Sequence, residues 1–245
     1  MKNLDLKTVA EAVTENIQTA HIFKKHGIDF CCGGGVSILK ACEKNNVDFS
    51  MLVNELNNVE NNVSYLNDFN SWELDFLIDF IVNTHHKYVE DNIPLLKEYC
   101  TKVAKVHGHH YAELLEIEKL IYTVSDELTV HMKKEELILF PFVRKLVYAH
   151  RDEASVTVPK FRTVDNPIQM MEEDHDDAGA IFNRINELTN GYKTPEGSCN
   201  TFKALYAKLE EFEDNLHQHV HIENNILFPK ARKLDSRVKK SNGNH

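Results

Sequence analysis

One eleven-residue pattern occurs twice in this chain and constrains the fold more than any other feature. The first copy begins at His131 and the second, 88 residues later, at His219; both read H-x-x-x-E-x-x-I-L-F-P. On a helix, residues i and i+4 lie on one face about one turn apart, so each copy directs an imidazole and a carboxylate toward the same place. His131 with Glu135 and His219 with Glu223 therefore predict two facing halves of a metal site, produced by an internal duplication.

Both copies lie in long stretches where apolar residues recur at alternating steps of three and four, which is typical of helices that face a bundle core. Strand patterns are absent from the sequence. We expect an all-α protein with a four-helix up-down bundle over residues 72–232. A small helical domain over residues 1–60 precedes it, a polar linker covers residues 61–71, and a polar tail covers residues 233–245.

Two further histidines join the repeated motif when the hairpin geometry is considered. In an antiparallel hairpin, residues equally far from the turn lie at the same height. His86 and His131 are equidistant from a turn predicted at Gly108, and His175 and His219 are equidistant from a second turn that contains Gly197. Packing the two hairpins together then brings four imidazoles and two carboxylates to one internal layer.

The residue types in this layer indicate which metal it binds. Carboxylates mixed with imidazoles suit iron or manganese, whereas structural zinc favours cysteine and a closed tetrahedral site. Two iron ions bridged by the carboxylates would leave room for an oxo bridge and an open position on each ion. In the alternative, His and Glu only hydrogen-bond each other or face solvent; the duplication and the matching levels favour metal. The predicted ligands are His86, His131, Glu135, His175, His219 and Glu223.

The remaining histidines are not expected to reach this layer. His107 lies 21 residues beyond His86, which is about 31 Å along a helix at ~1.5 Å per residue. It could approach only if Pro94, which we expect to kink or divide the helix, redirected the chain sharply. A cation at a helix C-terminus is the preferred interpretation of His107. Surface positions are predicted for His109, His110, His150, His217 and His221.

Two acids and two cysteines are further candidates. Glu127 lies one turn before His131 and Asp174 directly precedes His175, so both could handle protons or guide ions, unless they are ordinary surface carboxylates. Cys31 and Cys32 precede a glycine-rich turn that leads into a helix. A helix N-terminus stabilises thiolate, so either could act as nucleophile, reductant or metal ligand. Alternatively, one is a buried apolar residue and the glycines only shape the turn.

Composition limits the other classes of function. A net charge of -10 argues against binding to nucleic acid or an anionic membrane. No segment resembles a signal peptide or a membrane span. The five cysteines are irregularly spaced, which favours reduced thiols and a cytoplasmic location.

These motifs resemble those of the repair-of-iron-centres family, hemerythrin-like di-iron proteins that repair iron-sulfur clusters. The resemblance covers nearly the whole chain: the D-F-C-C-G-G-G segment is similar to the family's N-terminal domain, and residues from about 72 to 232 are similar to its di-iron bundle. It implies the same six iron ligands, with the two glutamates as bridges. Glu127 and Asp174 match acidic positions near the family's iron site, and His107 matches a histidine sometimes counted with the ligands.

The resemblance also implies a function. It indicates a stress-response protein that restores iron-sulfur clusters damaged by nitric oxide or oxidants by donating iron, so its partners would be damaged iron-sulfur proteins. Two alternatives stay open: reduction of nitric oxide, nitrite or peroxide at the iron, and hemerythrin-type binding or sensing of a small molecule. The electron donor and the oligomeric state, a homodimer included, are also left open by the sequence.

Overall fold

The computed structural model describes residues 6–59, 68–152 and 163–242, with side chains described as far as residue 239. The described residues form α-helices, short 3₁₀ turns and π-helical segments, and none of them forms a β-strand, so the all-α prediction is confirmed. None of the helices in these ranges is long and apolar enough to cross a membrane.

Four short helices make up the N-terminal part of the chain. They are α1 (Val9–Glu15), α2 (Ala20–Lys25), α3 (Ile38–Asn45) and α4 (Phe49–Asn58). Three of the four starts have a sequence cause: Thr8 and Glu11 form a reciprocal capping box on α1, and the side chains of Ser37 and Asp48 accept the capping hydrogen bonds of α3 and α4. The helices are short because the glycine-rich turn and these polar caps interrupt the chain repeatedly.

Four long helical segments form the bundle, and three of them contain a π-helical turn. In chain order the elements are α5 (Leu74–Phe80), a π segment (Ile81–His86), α6 (Lys87–His107), α7 (Glu113–Lys134), a π segment (Glu135–Leu139), α8 (Phe140–Arg151), α9 (Asp165–Leu188), α10 (Asn200–Ile222), a π segment (Glu223–Leu227) and α11 (Phe228–Asn242). Helix α6 packs against α7 and α10, and α7 packs against α9, as expected for an up-down bundle. Pro94 lies inside α6 and does not divide it.

The C-terminal end differs from the sequence prediction. The polar tail predicted over residues 233–245 is wrong for its described part, because α11 continues to Asn242. Leu234 and Val238 are buried one turn apart in the apolar cluster that includes Ile81 and Phe140. Asp235 accepts hydrogen bonds from the hydroxyl of Thr163 and the backbone nitrogen of Val164. Residues 61–67 of the predicted linker lie outside the described residues, and the domain boundaries stay predictions.

A polar layer separates two apolar clusters in the bundle. The first cluster includes Val89, Leu128 and Phe182 and continues into the N-terminal helices. The second includes Ile81 and Phe140, at the other end of the bundle. Between them lie the buried histidines and glutamates of the repeated motif. Burying so many polar groups is unfavourable unless they are paired or bind a cation, so this layer is the natural place to look for function.

Candidate metal centre

The π-helical turns determine which residues face the polar layer. His86 ends the first π segment, and Glu135 and Glu223 begin the second and third. A π turn contains one extra residue, which shifts by one position the pattern of residues that face the interior. Such turns are frequent at functional sites. As a result His85 and His86, although adjacent in sequence, are both buried. The repeated motif therefore produces a repeated local distortion, in each case beginning at the glutamate.

The structure brings all six predicted ligand side chains together in two groups that share both glutamates. One group is His86, Glu135, His219 and Glu223, and the other is His131, Glu135, His175 and Glu223; within each, the nearest ligand atoms all lie within 4.8 Å of one another. Both carboxylates are completely buried. Two adjacent cation positions that share two carboxylates are the arrangement that a dinuclear centre needs.

Short distances join each histidine to a shared carboxylate. Glu135 Oε2 lies 3.2 Å from His86 Nε2 and 3.4 Å from His131 Nε2. Glu223 Oε2 lies 3.2 Å from His175 Nε2, and its Oε1 lies 3.1 Å from His219 Nε2. All four imidazoles thus present Nε2 to the interior of the layer.

The opposite ring nitrogen is held by a neighbouring side chain in three of the four histidines. His86 Nδ1 lies 2.8 Å from Glu136 Oε1, His131 Nδ1 lies 3.2 Å from Asp174 Oδ2, and His175 Nδ1 lies 2.9 Å from Asn224 Oδ1. An imidazole that donates Nδ1–H to an oxygen keeps its Nε2 lone pair free for a metal ion, and such contacts fix the ring orientation. His219 Nδ1 has no hydrogen-bond partner among the described residues.

Several buried atoms of the layer make no hydrogen bond within the described residues. They include both carboxylate oxygens of Glu135 and Glu223 and the Nε2 atoms of His86 and His219. Buried polar groups without partners are rare and call for a physical explanation. A cation at each group would satisfy all of these atoms, so the donor set fits metal ions and, through its mixture of imidazole and carboxylate, fits iron.

The electrostatics of the layer favour ionised carboxylates. Burial raises the pKa of Glu135, but His131 and His86 more than offset it and hold the pKa below its usual value. Burial also raises the pKa of Glu223, yet His219 and His175 bring that pKa well below the usual range. Burial lowers the pKa of His131, whereas Glu135 and Asp174 raise it to a final value of about 10. The carboxylates are thus ionised and are balanced by positive charge on His131, a charge that a bound cation would replace.

The two predicted accessory acids occupy different positions. Asp174 lies at the edge of the layer, where it contacts His131 and accepts a hydrogen bond of 2.8 Å from Lys134 Nζ; these two partners lower its pKa to about 2. Glu127 is exposed outside the layer, where partial burial and the nearby carboxylates of Asp177 and Asp174 raise its pKa. A role for either acid in proton or ion handling stays a prediction.

The cysteine segment lies against the fourth bundle helix. Asp29 organises its turn by accepting hydrogen bonds of 2.8 Å from the backbone nitrogens of Cys31 and Gly33. Gly34 is required here, because a Cβ atom would lie 2.5 Å from the Phe30 carbonyl oxygen. Asn225 Nδ2 donates to the Cys31 carbonyl oxygen at 3.1 Å and attaches the turn to the bundle.

The two thiols have different environments. Cys31 is buried, and its contact with Cys32, its burial and the carboxylate of Asp29 raise its pKa well above the usual value. The expected lowering by a helix N-terminus is absent there, because α3 begins only at Ile38. Cys32 is half-buried and lines a cavity of about 360 Å³ between the turn and the bundle. A chemical role for the cysteines stays a prediction.

The other histidines divide into correct and wrong predictions. His107 ends α6 away from the layer, with Nε2 3.3 Å from Cys199 Sγ, and His109, His110 and His150 are exposed. The surface positions predicted for His217 and His221 are wrong. His221 is buried with Nδ1 3.2 Å from the Phe30 carbonyl oxygen, and the ring of His217 contacts the ring of Phe30. The N-terminal part covers a helix face that the bundle alone would expose.

Three residues that contribute to the site were not predicted from the sequence: His85, Glu136 and Asn224. His85 stacks on His219, with ring centroids 5.3 Å apart and planes 2° from parallel. Burial lowers its pKa to about 3, so it is neutral. A regular α-helical period assigns only one of two adjacent histidines to the core, so the burial of His85, which depends on the π turn, could not be predicted from it. Glu136 and Asn224 each directly follow a predicted ligand, which is the one available signal.

Comparison with known proteins identifies the class to which this fold and site belong. A sequence model of the hemerythrin HHE cation binding domain matches residues 77–231, which is more than half of the chain. A second model, ScdA_N, described as a domain of unknown function, matches residues 5–60. The bundle is therefore a hemerythrin-like cation-binding domain, and a buried cluster of histidine and glutamate fits iron binding in that class.

Similarity to curated relatives defines the family more narrowly. The iron-sulfur cluster repair protein ScdA of Staphylococcus epidermidis is 36% identical over 231 residues, covering 91% of this chain and 96% of the relative. ScdA of Staphylococcus haemolyticus is 35% identical over 228 residues, with the same coverage. The iron-sulfur cluster repair protein YtfE of Yersinia pseudotuberculosis is 34% identical over 230 residues, covering 94% of this chain and 97% of the relative. The chain belongs to the ScdA/YtfE family of iron-sulfur cluster repair proteins, as the sequence motifs predicted.

Proposed function

We propose that the polar layer holds two iron ions and that the protein uses them to repair damaged iron-sulfur clusters. One ion would be held by His86 and His219, the other by His131 and His175, and both by the carboxylates of Glu135 and Glu223. An oxo group would complete the bridging between the ions. Bound iron supplies one-electron redox chemistry and open coordination positions; the protein supplies the buried, oriented donor atoms.

The observation that carries this proposal is the sharing of two completely buried carboxylates by two groups of histidines. The unpartnered oxygens of Glu135 and Glu223 have no lysine or arginine partner among the described residues. A single cation would satisfy one group and leave histidines of the other without a ligand role. Two cations satisfy both groups, which supports a dinuclear centre.

Donation of iron is the use that we propose, because relatives that cover almost all of this chain are named for cluster repair. The His131–His175 side of the layer is the more accessible one. Each of its imidazoles contacts a partly exposed side chain, Asp174 or Asn224. On the opposite side only His86 does so, through Glu136, because the buried ring of His85 covers His219. Iron delivered to a damaged cluster would leave from the His131–His175 side.

The remaining predicted residues fit this route. Glu127, Asp174 and Asp177 place negative charge outside the accessible side, where it would attract ferrous iron without holding it. Cys31 and Cys32 lie beside the same side through Asn224 and Asn225. Proteins whose clusters have been damaged by nitric oxide or oxygen species would be the recipients.

The test is to incubate the iron-loaded protein with a cluster enzyme previously inactivated by nitric oxide, and to follow both iron transfer and recovered activity. We expect recovered activity to rise in step with iron lost from the donor. The matched controls are the Glu135→Leu variant treated with iron and an equal amount of free ferrous iron. Iron that stays bound while activity fails to return would refute the proposal.

The same incubations distinguish the two alternative functions. Multiple turnovers of nitric oxide, nitrite or peroxide per protein with an added reductant, and no loss of iron, would favour a reductase. Reversible binding of a small molecule with neither turnover nor loss of iron would favour a hemerythrin-type binding protein.

A further inference from the structure

One side chain, Asn224, contacts both the polar layer and the cysteine segment. Its carboxamide oxygen lies 2.9 Å from His175 Nδ1, and its carboxamide nitrogen lies 3.8 Å from Cys32 Sγ. Asn224 follows Glu223 in the third π segment, so the backbone of the fourth bundle helix holds it in place. A predicted metal ligand and a half-buried thiol are therefore joined through a single amide group.

The donors and acceptors of this contact have one consistent arrangement when His175 presents its Nε2 lone pair to a cation. His175 Nε2 lies 3.2 Å from both Glu223 Oε2 and His131 Nε2, so its lone pair points at the position that these ligands share when Nδ1 carries the ring proton. Nδ1–H then donates to the carboxamide oxygen, and the carboxamide nitrogen must face Cys32. A reversed amide would place two donors against each other. Because the amide is fixed in this way, the sulfur of Cys32 is an acceptor.

Neighbouring contacts prevent the thiol from drifting away. Asn225 Nδ2 donates to the Cys31 carbonyl oxygen, and His221 Nδ1 lies 3.2 Å from the Phe30 carbonyl oxygen. These contacts attach the turn to the same helix at positions that flank Asn224 in the sequence. The position of Cys32 relative to Asn224 is thus determined by the fold.

We infer that Asn224 is a positioning residue that couples the chemical state of Cys32 to the orientation of His175. A substituent on the Cys32 sulfur crowds the amide nitrogen and displaces the amide, which releases the ring of His175 and weakens cation binding in the His131–His175 group. The coupling is reciprocal: a cation on His175 strengthens Nδ1–H as a donor, polarises the amide and strengthens its hydrogen bond to the sulfur. This inference rests on the proposed metal site and gives the thiol segment a specific effect on it.

The test uses the full chain with Cys199 replaced by serine, because Cys199 is the exposed cysteine, while Cys31, Cys42 and Cys100 are buried. Iodoacetamide then alkylates Cys32: a C–S bond forms, iodide leaves and the thiol proton goes to the buffer. In the metal-free chain, we expect alkylation to shift the ring-nitrogen resonances of His175, which are assigned by their loss in His175→Gln. Peptide mapping by mass spectrometry verifies the site of alkylation.

Variants of the amide determine whether the effect passes through Asn224. In Asn224→Ala the shift should disappear. In Asn224→Asp, which keeps an acceptor for His175 and the shape of the side chain, the ring should stay ordered but no longer respond to alkylation. Gln218→Ala is the matched control, since it removes an exposed amide from the same helical segment, and the response should persist. Resonances of His175 that stay unmoved on alkylation, or move equally in Asn224→Ala, would overturn the inference.

Metal binding provides a second measurement. Competition with a ferrous chelator should show that alkylation lowers the iron affinity of the parent chain by about 10- to 100-fold, with no further loss in Asn224→Ala. An equal loss in both chains contradicts the inference. If the parent binds no iron but His175 still responds through Asn224, the proposed function fails and the coupling stands.

Discussion

His219 is held differently from the other histidines of the polar layer. Its Nδ1 has no hydrogen-bond partner among the described residues, and its ring is instead covered by the parallel ring of His85. His85 is itself fixed by Asn215, whose Oδ1 lies 3.2 Å from its Nδ1, and by an edge contact with Phe80 at 5.6 Å. Stacking thus takes the place of the missing hydrogen bond.

Replacing His85 should therefore weaken the site in a way that depends on ring shape. His85→Ala removes the stacking surface and should lower iron affinity about tenfold or more, whereas His85→Phe keeps a ring and should retain most of it. Chelator competition measures both, with the exposed His150→Ala as control. If His85→Phe loses as much affinity as His85→Ala, the ring nitrogens and not the stacking hold His219.

The shared carboxylates should be more sensitive than any histidine, because each contributes to both groups. Glu135→Leu or Glu223→Leu should abolish the optical and magnetic signature of a coupled iron pair. Iron content per chain, measured together with these spectra, distinguishes loss of one ion from loss of both. Glu43→Leu, on the exposed face of α3, serves as control. A coupled signature that survives in both layer variants would refute the bridging assignment.

At the residue scale, the sequence predicts the members of the layer and not their neighbours. His131, Glu135, His219 and Glu223 could be found because i and i+4 positions share a helix face in either an α-helix or a helix with one π turn. His85 could not be found, because its inward direction depends on the extra residue of the π segment. The contacts of Asn224 depend on how a distant turn docks, which no local pattern encodes.

At the element scale, each of the three π segments shifts the sequence pattern of buried positions by one residue. The segment Glu135–Leu139 lies between α7, whose Leu128 belongs to the first apolar cluster, and α8, whose Phe140 and Val143 are buried in the second. Deleting Leu137, which is 73% exposed, would convert the turn to regular α-helix while α7 and α8 keep nearly the same relative orientation, because a π turn absorbs one extra residue. We expect loss of iron with a smaller effect on Tm, since Glu135 begins this turn and its side chain would be redirected. Leu137→Ala, which removes only the exposed side chain, should keep iron binding and change stability by less than about 0.5 kcal/mol, and a deletion that retains iron as this control does would show that the π turn is dispensable.

The last helix offers a second test at this scale. Leu234 and Val238 belong to the second apolar cluster, so Leu234→Ala should destabilise the protein by about 2–4 kcal/mol and Val238→Ala by somewhat less. Urea titration followed by circular dichroism measures both, and the exposed Arg237→Ala is the control. An effect of Leu234→Ala no larger than that of the control would restore the predicted polar tail. That prediction failed because two apolar residues among many charges carry little weight in a pattern, yet they are enough to dock a helix.

At the scale of the whole molecule, the N-terminal part and the bundle share one apolar cluster and a buried ion pair. Lys24 Nζ lies 2.7 Å from Glu213 Oε2, and Glu213 is nearly inaccessible to solvent. Burial lowers the pKa of Lys24, but its contacts with Asp214 and Glu213 more than compensate and raise it above the usual value. The contacts of the cysteine turn add to this interface. The sequence suggested a separate small domain, because helix breaks and an asparagine-rich stretch are visible in it, whereas the shared core depends on distant contacts.

Iron should consequently stabilise the whole chain, and not only the polar layer. A ligand that binds only the folded state contributes about 2.7 kcal/mol at a free concentration 100 times its Kd. For a chain of this size that corresponds to a rise in Tm of roughly 5–10 °C. Differential scanning calorimetry of iron-loaded and chelator-treated protein should show one transition in each case, with the iron-loaded transition higher. Glu223→Leu should remove the difference between the two samples. An iron-dependent shift confined to part of a split transition would instead show that the N-terminal part unfolds independently of the bundle, and that the interface through Glu213 and the cysteine turn is too weak to transmit the effect of iron.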